Sequence, residues 1–170
     1  ADLVTYVGGD PLLNKLGLLV KEKSDGTKKL RLITDLRASL GNKYLRVPER
    51  IVLPRLLDAI EMVLYLLEAL ETELIRGVAA GESVSLGSAD VKDAFLYVPV
   101  HPWGRRVQCY SLWRTGRPRG YASSDNLVFG AGPSPLIWGR IAAWMARTGQ
   151  GLFDFRELPL QLYVDDPLWA

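Results

Sequence analysis

Apolar residues along this chain change their spacing from segment to segment, and each change marks an element. Leu16 to Glu22 (LGLLVKE) is an apolar run of strand length. Ser24-Asp25-Gly26 is a turn, and Lys29 to Asp35 (KLRLITD) resumes with partial alternation. Two such runs around a Gly-containing loop predict a β-hairpin. Leu53, Leu56, Leu57, Ile60, Val63, Leu64, Leu67, Leu70 and Leu74 recur at helical spacing and predict a long helix. Pro54 suits its first turn and Gly77 its stop, before a loop GVAAGES at 77–83. Val84, Leu86 and Ser88 alternate as in a strand that leads to Asp90. Phe95 to Val100 and Val107 to Trp113 predict a further hairpin, turning at Pro102-Trp103-Gly104. Pro133 and Pro135 open a helix to about Arg147, with Ile137, Ile141, Trp144 and Met145 on one face. LQLYV (160–164) is a strand, Asp165-Asp166 its turn, and Leu168-Trp169 begin the return. Residues 1–15, 37–46 and 116–125 read as irregular.

This order predicts an α+β fold with a mostly antiparallel sheet and helices on one face. Residues 1–89 form an N-terminal part with the hairpin and the long helix; residues 90–170 form the second part. With 170 residues, the chain is one domain or a piece of one. Hydrophobic residues make up 48% and charged residues 24%, which excludes a disordered tail or a fibre. Cys109 is the single cysteine, so no internal disulfide can form, which fits a reducing compartment. No apolar run is long enough to span a membrane, and the N-terminus ADLVTYVGGD is no signal peptide. An intracellular protein, cytoplasmic or nuclear, is therefore expected. The missing initiator Met and the strand-like run just before Ala170 suggest a piece of a longer chain.

The net charge of +2 announces no partner, but its distribution is uneven. Arg105, Arg106, Arg114, Arg117 and Arg119 lie between His101 and Ser124 with no acidic residue among them. Lys21, Lys23, Lys28, Lys29 and Arg31 form a second group, diluted by Glu22 and Asp25. Acids gather on 51–75. A polyanion would meet two basic patches; solvated basic loops explain the same pattern equally well.

Two adjacent carboxylates, Asp165 and Asp166, end the apolar strand LQLYV. Adjacent acids repel and need water or a cation. A DD pair is ordinarily a surface turn, but a strand leading into it aims both acids at one place. Asp90 ends another strand. If the two strands are neighbours, three hard oxygen ligands converge on one edge, which suits Mg²⁺. Asp93 reads instead as the cap of the following turn.

Here the motifs carry a resemblance. LGSADVKDAFLYVPVHP resembles the first catalytic motif of reverse transcriptases from retroviruses and LTR-type retrotransposons. LVFGAGPSP resembles their second motif in its Phe-Gly variant, LYVDD their YxDD box, and KKLRLITDLRASLGNKY their fingers motif. The four occur in family order and spacing across Leu16 to Trp169. YVDDPLW leans toward a non-retroviral element. The resemblance implies a right-hand polymerase, here a fingers hairpin plus palm.

Carried over by position, Asp90 and Asp165 would be the main metal ligands and Asp166 would complete the triad. The carbonyl of Val91 would join the nucleotide-side metal. Two Mg²⁺ ions, with Mn²⁺ as a substitute, would be the cofactors. Phe95 takes the place of the aromatic gate that rejects a ribose 2′-OH; from sequence alone it simply packs in the core. Gly130 lies where a missing side chain lets backbone approach the nucleotide. Phe129 sits where retroviruses carry Gln. Arg31 aligns with the fingers arginine that grips the triphosphate. Its companion is Lys21, Lys23 or Lys29, with Lys23 preferred. Pro135 opens a helix in either reading, and Tyr163 packs under the primer end or in the core. His101 and Cys109 read as structural.

The expected function is RNA-directed DNA polymerase, a nucleotidyltransferase acting on dNTPs and an RNA or DNA template with primer. Further polyprotein domains (thumb, RNase H or nuclease) are expected partners, and the piece alone is expected to be weak or inactive. Pro167 departs from the family pattern and predicts an edge or poorly paired return strand. The alternative is a decayed or domesticated fragment that binds nucleic acid without catalysis. Another palm-fold enzyme is a third reading, against which Phe95 speaks where the product would be RNA.

Overall fold

In a computed structural model, the structure describes residues 2–75, 77, 83–113 and 115–170. Arg114 and most of the expected loop at 77–83 lie outside the described residues. The fold is mixed α+β. The chain divides into two compact units, Ala1–Glu49 with Asp93–Leu136, and Arg50–Lys92 with Ile137–Ala170.

The first unit begins with a short helix α1 (Leu3–Val7), where an irregular segment was expected. Strands β1 (Leu13–Glu22) and β2 (Lys28–Asp35) form the expected hairpin, antiparallel from Lys15↔Asp35 to Glu22↔Lys28. Asp25 closes its turn, accepting hydrogen bonds from the Thr27 hydroxyl at 2.6 Å and amide at 2.8 Å. Those bonds, the hydroxyl's first, hold the Asp25 carboxyl below its ordinary pKa. A short helix α2 (Gly41–Tyr44) lies within the expected loop at 37–46.

The expected hairpin of 95–100 with 107–113 does not form. Ala94–Tyr97 is a 3₁₀ turn, and α4 spans Pro102–Arg105; α3 (Leu56–Ile75) belongs to the second unit. Pro99 and Pro102 lack the N–H groups a ladder needs. His101 caps the helix instead, its Nδ1 accepting from the Trp103 amide at 3.3 Å. Strand β4 (Cys109–Leu112) pairs with β5 (Gly120–Ser123), inside the segment expected to be a loop. The sheet order is β2-β1-β4-β5, with a parallel contact at Leu13↔Cys109 and Asn14↔Tyr110. The sheet is thus mixed.

Buried Asn14 ties that junction together. Its side-chain amide donates to the carbonyls of Val107 (2.8 Å) and Cys109 (3.0 Å), and Ser39 donates back to its Oδ1. A buried amide must be satisfied this way or it destabilises the core. Cys109 is fully buried beside it, and burial pushes its thiol pKa up. The thiol therefore stays protonated and shielded near neutral pH. A thiol reagent is expected to label Cys109 only as the protein unfolds, tracking the loss of circular dichroism; labelling of the native protein at the rate of a free thiol would contradict this burial.

The second unit carries α3 (Leu56–Ile75), β3 (Gly87–Ser88), most of α5 (Ser134–Leu152), β6 (Leu160–Tyr163) and β7 (Asp166–Trp169). Both long helices were expected, but their buried faces were not. On α3, Met62 and Leu66 are buried while Leu56, Leu57 and Leu64 are exposed. Leucines surround this helix, so periodicity could not choose a face. On α5, Trp138 and Ala142 are buried, whereas Trp144 and Met145 are exposed. The buried stripe lies one residue away from the expected one. No helix among the described residues is long and apolar enough to cross a membrane.

Candidate functional site

Strands β6 and β7 form a tight hairpin, closed by Tyr163↔Asp166. Its two turn residues are therefore Val164 and Asp165, one position earlier than expected, and Asp166 already belongs to β7. Val164 has φ 58°, a left-handed backbone that a β-branched residue rarely adopts. A positive φ at the first turn position matches the right-handed twist of the strands but normally calls for glycine. The strained peptide is held from behind: the buried Trp138 indole donates to the Val164 carbonyl at 2.7 Å. The hairpin tip is thereby pinned to α5. Trp138 was not singled out in the sequence, and its position among apolar helix residues gives no signal of this role.

The third strand brings in Asp90. β3 pairs antiparallel with β7 through Gly87↔Trp169 and Ser88↔Leu168. The ladder continues in the same register past β3. The Ala89 amide donates to the Pro167 carbonyl at 3.1 Å, and the Val91 amide to the Asp165 carbonyl at 2.8 Å. Asp90 sits between these bonds, directly opposite Asp166. In an antiparallel ladder such a non-hydrogen-bonded pair has Cα atoms about 4.5 Å apart and side chains on one face. Asp165 is the next residue along. Backbone register thus sets Asp90 opposite Asp166 within the second unit, with Asp165 next to Asp166 in the chain.

Pro167 is accommodated in an unexpected place. β7 is the central strand, in the order β3-β7-β6, not an edge. Its missing N–H falls on the β3 side, where Ala89 loses one bond but still donates its own. This missing bond explains why β3 proper ends at Ser88. Gly87 is needed for the same pairing, because a Cβ there would enter the Trp169 indole.

Asp90 and Asp166 are exposed and Asp165 is half-buried. Like charges directly opposite on neighbouring strands destabilise the pair unless something neutralises them. Among the described residues, no group of three His, Cys, Asp or Glu side chains is disposed to hold a metal ion by itself. The donor chemistry nevertheless fits Mg²⁺. That ion takes hard oxygens and is commonly held by one or two carboxylates, waters and substrate phosphates, without an all-protein cage. A cavity of about 670 Å³ in the same unit, lined by Leu66, Leu70, Glu73, Arg156, Leu158 and Trp169, includes none of the three acids.

The other expected residues lie in the first unit. The β1–β2 register sorts the hairpin into two faces. Leu19↔Arg31 and Lys21↔Lys29 lie on one; Leu18↔Leu32 and Val20↔Leu30, all more than half exposed, lie on the other. Lys21 and Lys29 are thus cross-strand partners on the Arg31 face. Lys23 lies beyond the end of β1, in the turn, where its amide donates to the Thr27 carbonyl at 2.8 Å. Phe95 follows Asp93, which stands at the N-cap of the 3₁₀ turn with φ 55° but makes no side-chain capping bond. Phe95 is half-buried, its ring 5.1 Å from that of Phe129. Phe129 also lies under Arg31, whose guanidinium carbon is 5.8 Å from the ring centre.

Gly130 has φ 103°, and a Cβ there would run into the Thr34 carbonyl. This close approach is one reading of the small residue, and it points to backbone packing. Of the second basic patch, Arg105 pairs with Asp125 at 3.1 Å and is half-buried, so it is structural; Arg106, Arg117 and Arg119 are exposed. No family profile matches the chain, and no curated protein is similar enough to it to count as a relative.

Proposed function

We propose that the chain is the fingers–palm part of an RNA-directed DNA polymerase, which adds dNTPs to a primer 3′-OH. The observation that carries this reading is the register that sets Asp90 opposite Asp166 and beside Asp165. It joins motifs 75 residues apart in the sequence at one hairpin tip. A structural salt-bridge network would pair acids with bases, whereas Asp90 stands opposite another acid, Asp166.

The reading gives each group a task. Asp90, Asp165, Asp166 and the Val91 carbonyl would hold divalent cations. When bound, these supply Lewis-acid stabilisation of charge on the reacting phosphate and hydroxyl oxygens. Arg31 and the lysines on its face would hold the triphosphate, since a guanidinium gives two parallel, always-charged hydrogen bonds to phosphate. Phe95 would exclude a 2′-OH. In the reaction the 3′ oxygen bonds to the α-phosphorus, the α–β phosphoanhydride bond breaks, and pyrophosphate leaves with the hydroxyl proton passing to solvent.

On this reading Lys21, among the three candidate lysines, is favoured as the companion of Arg31. Lys21 lies across from Lys29 and diagonal to Arg31, whereas Lys23 belongs to the turn. Lys21→Ala is expected to raise the dNTP KM about tenfold, the loss of one charge-assisted hydrogen bond, and Lys23→Ala less than about twofold. Steady-state kinetics on a template–primer check this; equal effects would return Lys23 to the site.

The direct test uses a full-length chain carrying these residues, an RNA template, a DNA primer, dNTPs and Mg²⁺. Templated extension is expected. Salt-dependent RNA binding without extension would instead favour the binding-module reading, for which the exposed Arg106, Arg117 and Arg119 would suffice.

A further inference from the structure

Helix α3 is apolar on two faces, and only one of them is used within the second unit. Met62 and Leu66 turn inward and are buried. On the other side Leu57, Ile60, Leu64, Leu67 and Leu74 are between 43% and 58% exposed. Their steps along the chain are three, four, three and seven residues, and Glu71 divides the last step into four and three. Alternating steps of three and four are the repeat by which one helix packs along another. A contiguous exposed apolar strip marks a contact surface. The period of this one calls for a helical occupant, since a strand would match a period of two. The strip has a shoulder along one side. The Tyr65 ring meets that of Phe155 with centroids 5.4 Å apart. A cavity of about 370 Å³ runs beside it, lined by Tyr65, Glu68, Ala69, Thr72, Glu73 and Arg156.

Charge decides what kind of helix fits. α3 carries Asp58, Glu61, Glu68, Glu71 and Glu73 and no Lys or Arg. Asp58 is engaged by Arg55 at 3.1 Å. Glu61 and Glu68 are exposed and border the strip, and the exposed Glu71 stands within it. A second copy of the chain is disfavoured on this ground. Two parallel α3 helices would set Glu71 against Glu71 inside the contact. An antiparallel pair, with Leu57 across from Leu74 and Leu64 across from Leu67, would bring the Glu61 and Glu68 edges together. Like charges at such positions repel. An anionic membrane surface is disfavoured too, because helices that lie on one are basic on their polar side. We propose that the outer face of α3 is a docking site for a basic amphipathic helix of a partner protein. Its apolar residues would pack on Leu57, Ile60, Leu64, Leu67 and Leu74, and its Lys or Arg side chains would lie against Glu61, Glu68 and Glu71. Apolar packing supplies the affinity and the glutamates select the partner. This proposal is independent of the polymerase reading, since it uses none of the three aspartates.

The test titrates fluorescent peptides with the full-length chain and reads anisotropy. The basic probe is a peptide of about three heptads, the length of α3, with Leu at the strip positions and Lys at the flanking ones. A second peptide carries Glu in place of every Lys, and a third is the basic probe with a central proline that breaks the helix. The wild-type protein is expected to bind the basic probe at least about tenfold more tightly than either of the others. Leu64→Gln/Leu67→Gln should weaken the basic probe by about tenfold or more, as losing central apolar contacts does. Both leucines are exposed, so circular dichroism and Tm should stay at wild-type values. Glu61→Lys/Glu68→Lys should reverse the preference, losing the basic probe and gaining the acidic one. Should the leucine variant fail to fold, the charge reversal and the wild-type comparison decide between the outcomes. No binding of the basic probe would overturn the proposal, because the face is then covered by the chain itself. Equal binding of basic, acidic and proline-broken peptides would overturn it as well. So would self-association of the wild-type protein in sedimentation that Leu64→Gln/Leu67→Gln abolishes, which would assign the face to a second copy.

Discussion

Asp90→Asn is expected to reduce nucleotide incorporation by about 10³-fold or more while leaving the fold as stable as before, or more so. The two halves of this expectation have separate physical origins. If Asp90 helps to hold a divalent cation, the lost stabilisation of transition-state charge amounts to several kcal/mol, and each 1.36 kcal/mol is about tenfold in rate. Asparagine is nearly isosteric, so the strand pairing around it, made by the amides of Ala89 and Val91, is retained. Meanwhile one member of a like-charged cross-strand pair becomes neutral. Such pairs cost about 0.2–1 kcal/mol, so the Tm without Mg²⁺ should stay level or rise by up to about 4 °C. Incorporation assays and thermal melts on the same preparation check both halves. A melting temperature that falls together with activity would mean that Asp90 supports the fold and that its charge has no chemical task.

The largest effect on stability is expected at Gly130→Ala. The residue has φ 103°, where an L side chain is strained by about 1–3 kcal/mol. Its Cβ would also collide with backbone, the Thr34 carbonyl, which cannot rotate away as a side chain could. Overpacking of this kind adds about 1–3 kcal/mol. The sum, roughly 2–5 kcal/mol, should lower the Tm by on the order of 10 °C. Gly132→Ala is the internal control. It lies two residues on, has no positive φ, and its Cβ would meet Asn42 at an ordinary 3.5 Å. It should change stability by less than about 0.5 kcal/mol. Similar melting temperatures for the two variants would contradict the seating of Phe129 and Gly130 on β2.

Local signals in the sequence account for the parts of this structure that were legible. The β1–β2 hairpin could be read because two apolar runs flank an Asp-Gly turn. The hairpin of β6 and β7 could be read because LQLYV ends abruptly in charge. The helices could be located but not oriented, since leucines surround α3 and the apolar stripe of α5 is broad. Non-local choices were out of reach. Nothing near Leu13 signals a parallel contact with Cys109, and nothing near Val107 says that its strand would turn to β5 instead of to Phe95. The prolines at 99 and 102 hold the physical reason, since neither can donate to a hairpin ladder. The three acids were identified from their motifs, yet that Asp166 stands opposite Asp90 depends on a register that only the pairing of Gly87 with Trp169 establishes. The Val164 strain, its Trp138 tether and the stacking of Arg31 on Phe129 follow from tertiary packing, which no pattern of residue types encodes.

The proposed function requires Asp90 and Asp165 to belong to one Mg²⁺-dependent polymerising centre. It is tested most directly by single-nucleotide incorporation on an RNA template whose next base specifies one dNTP. A full-length chain carrying these residues is compared with its Asp90→Asn/Asp165→Asn variant. The unmodified protein is expected to add the complementary dNTP only when Mg²⁺ is present, and the double variant, still folded by circular dichroism, is expected to add none. Equal incorporation by the two proteins would contradict it.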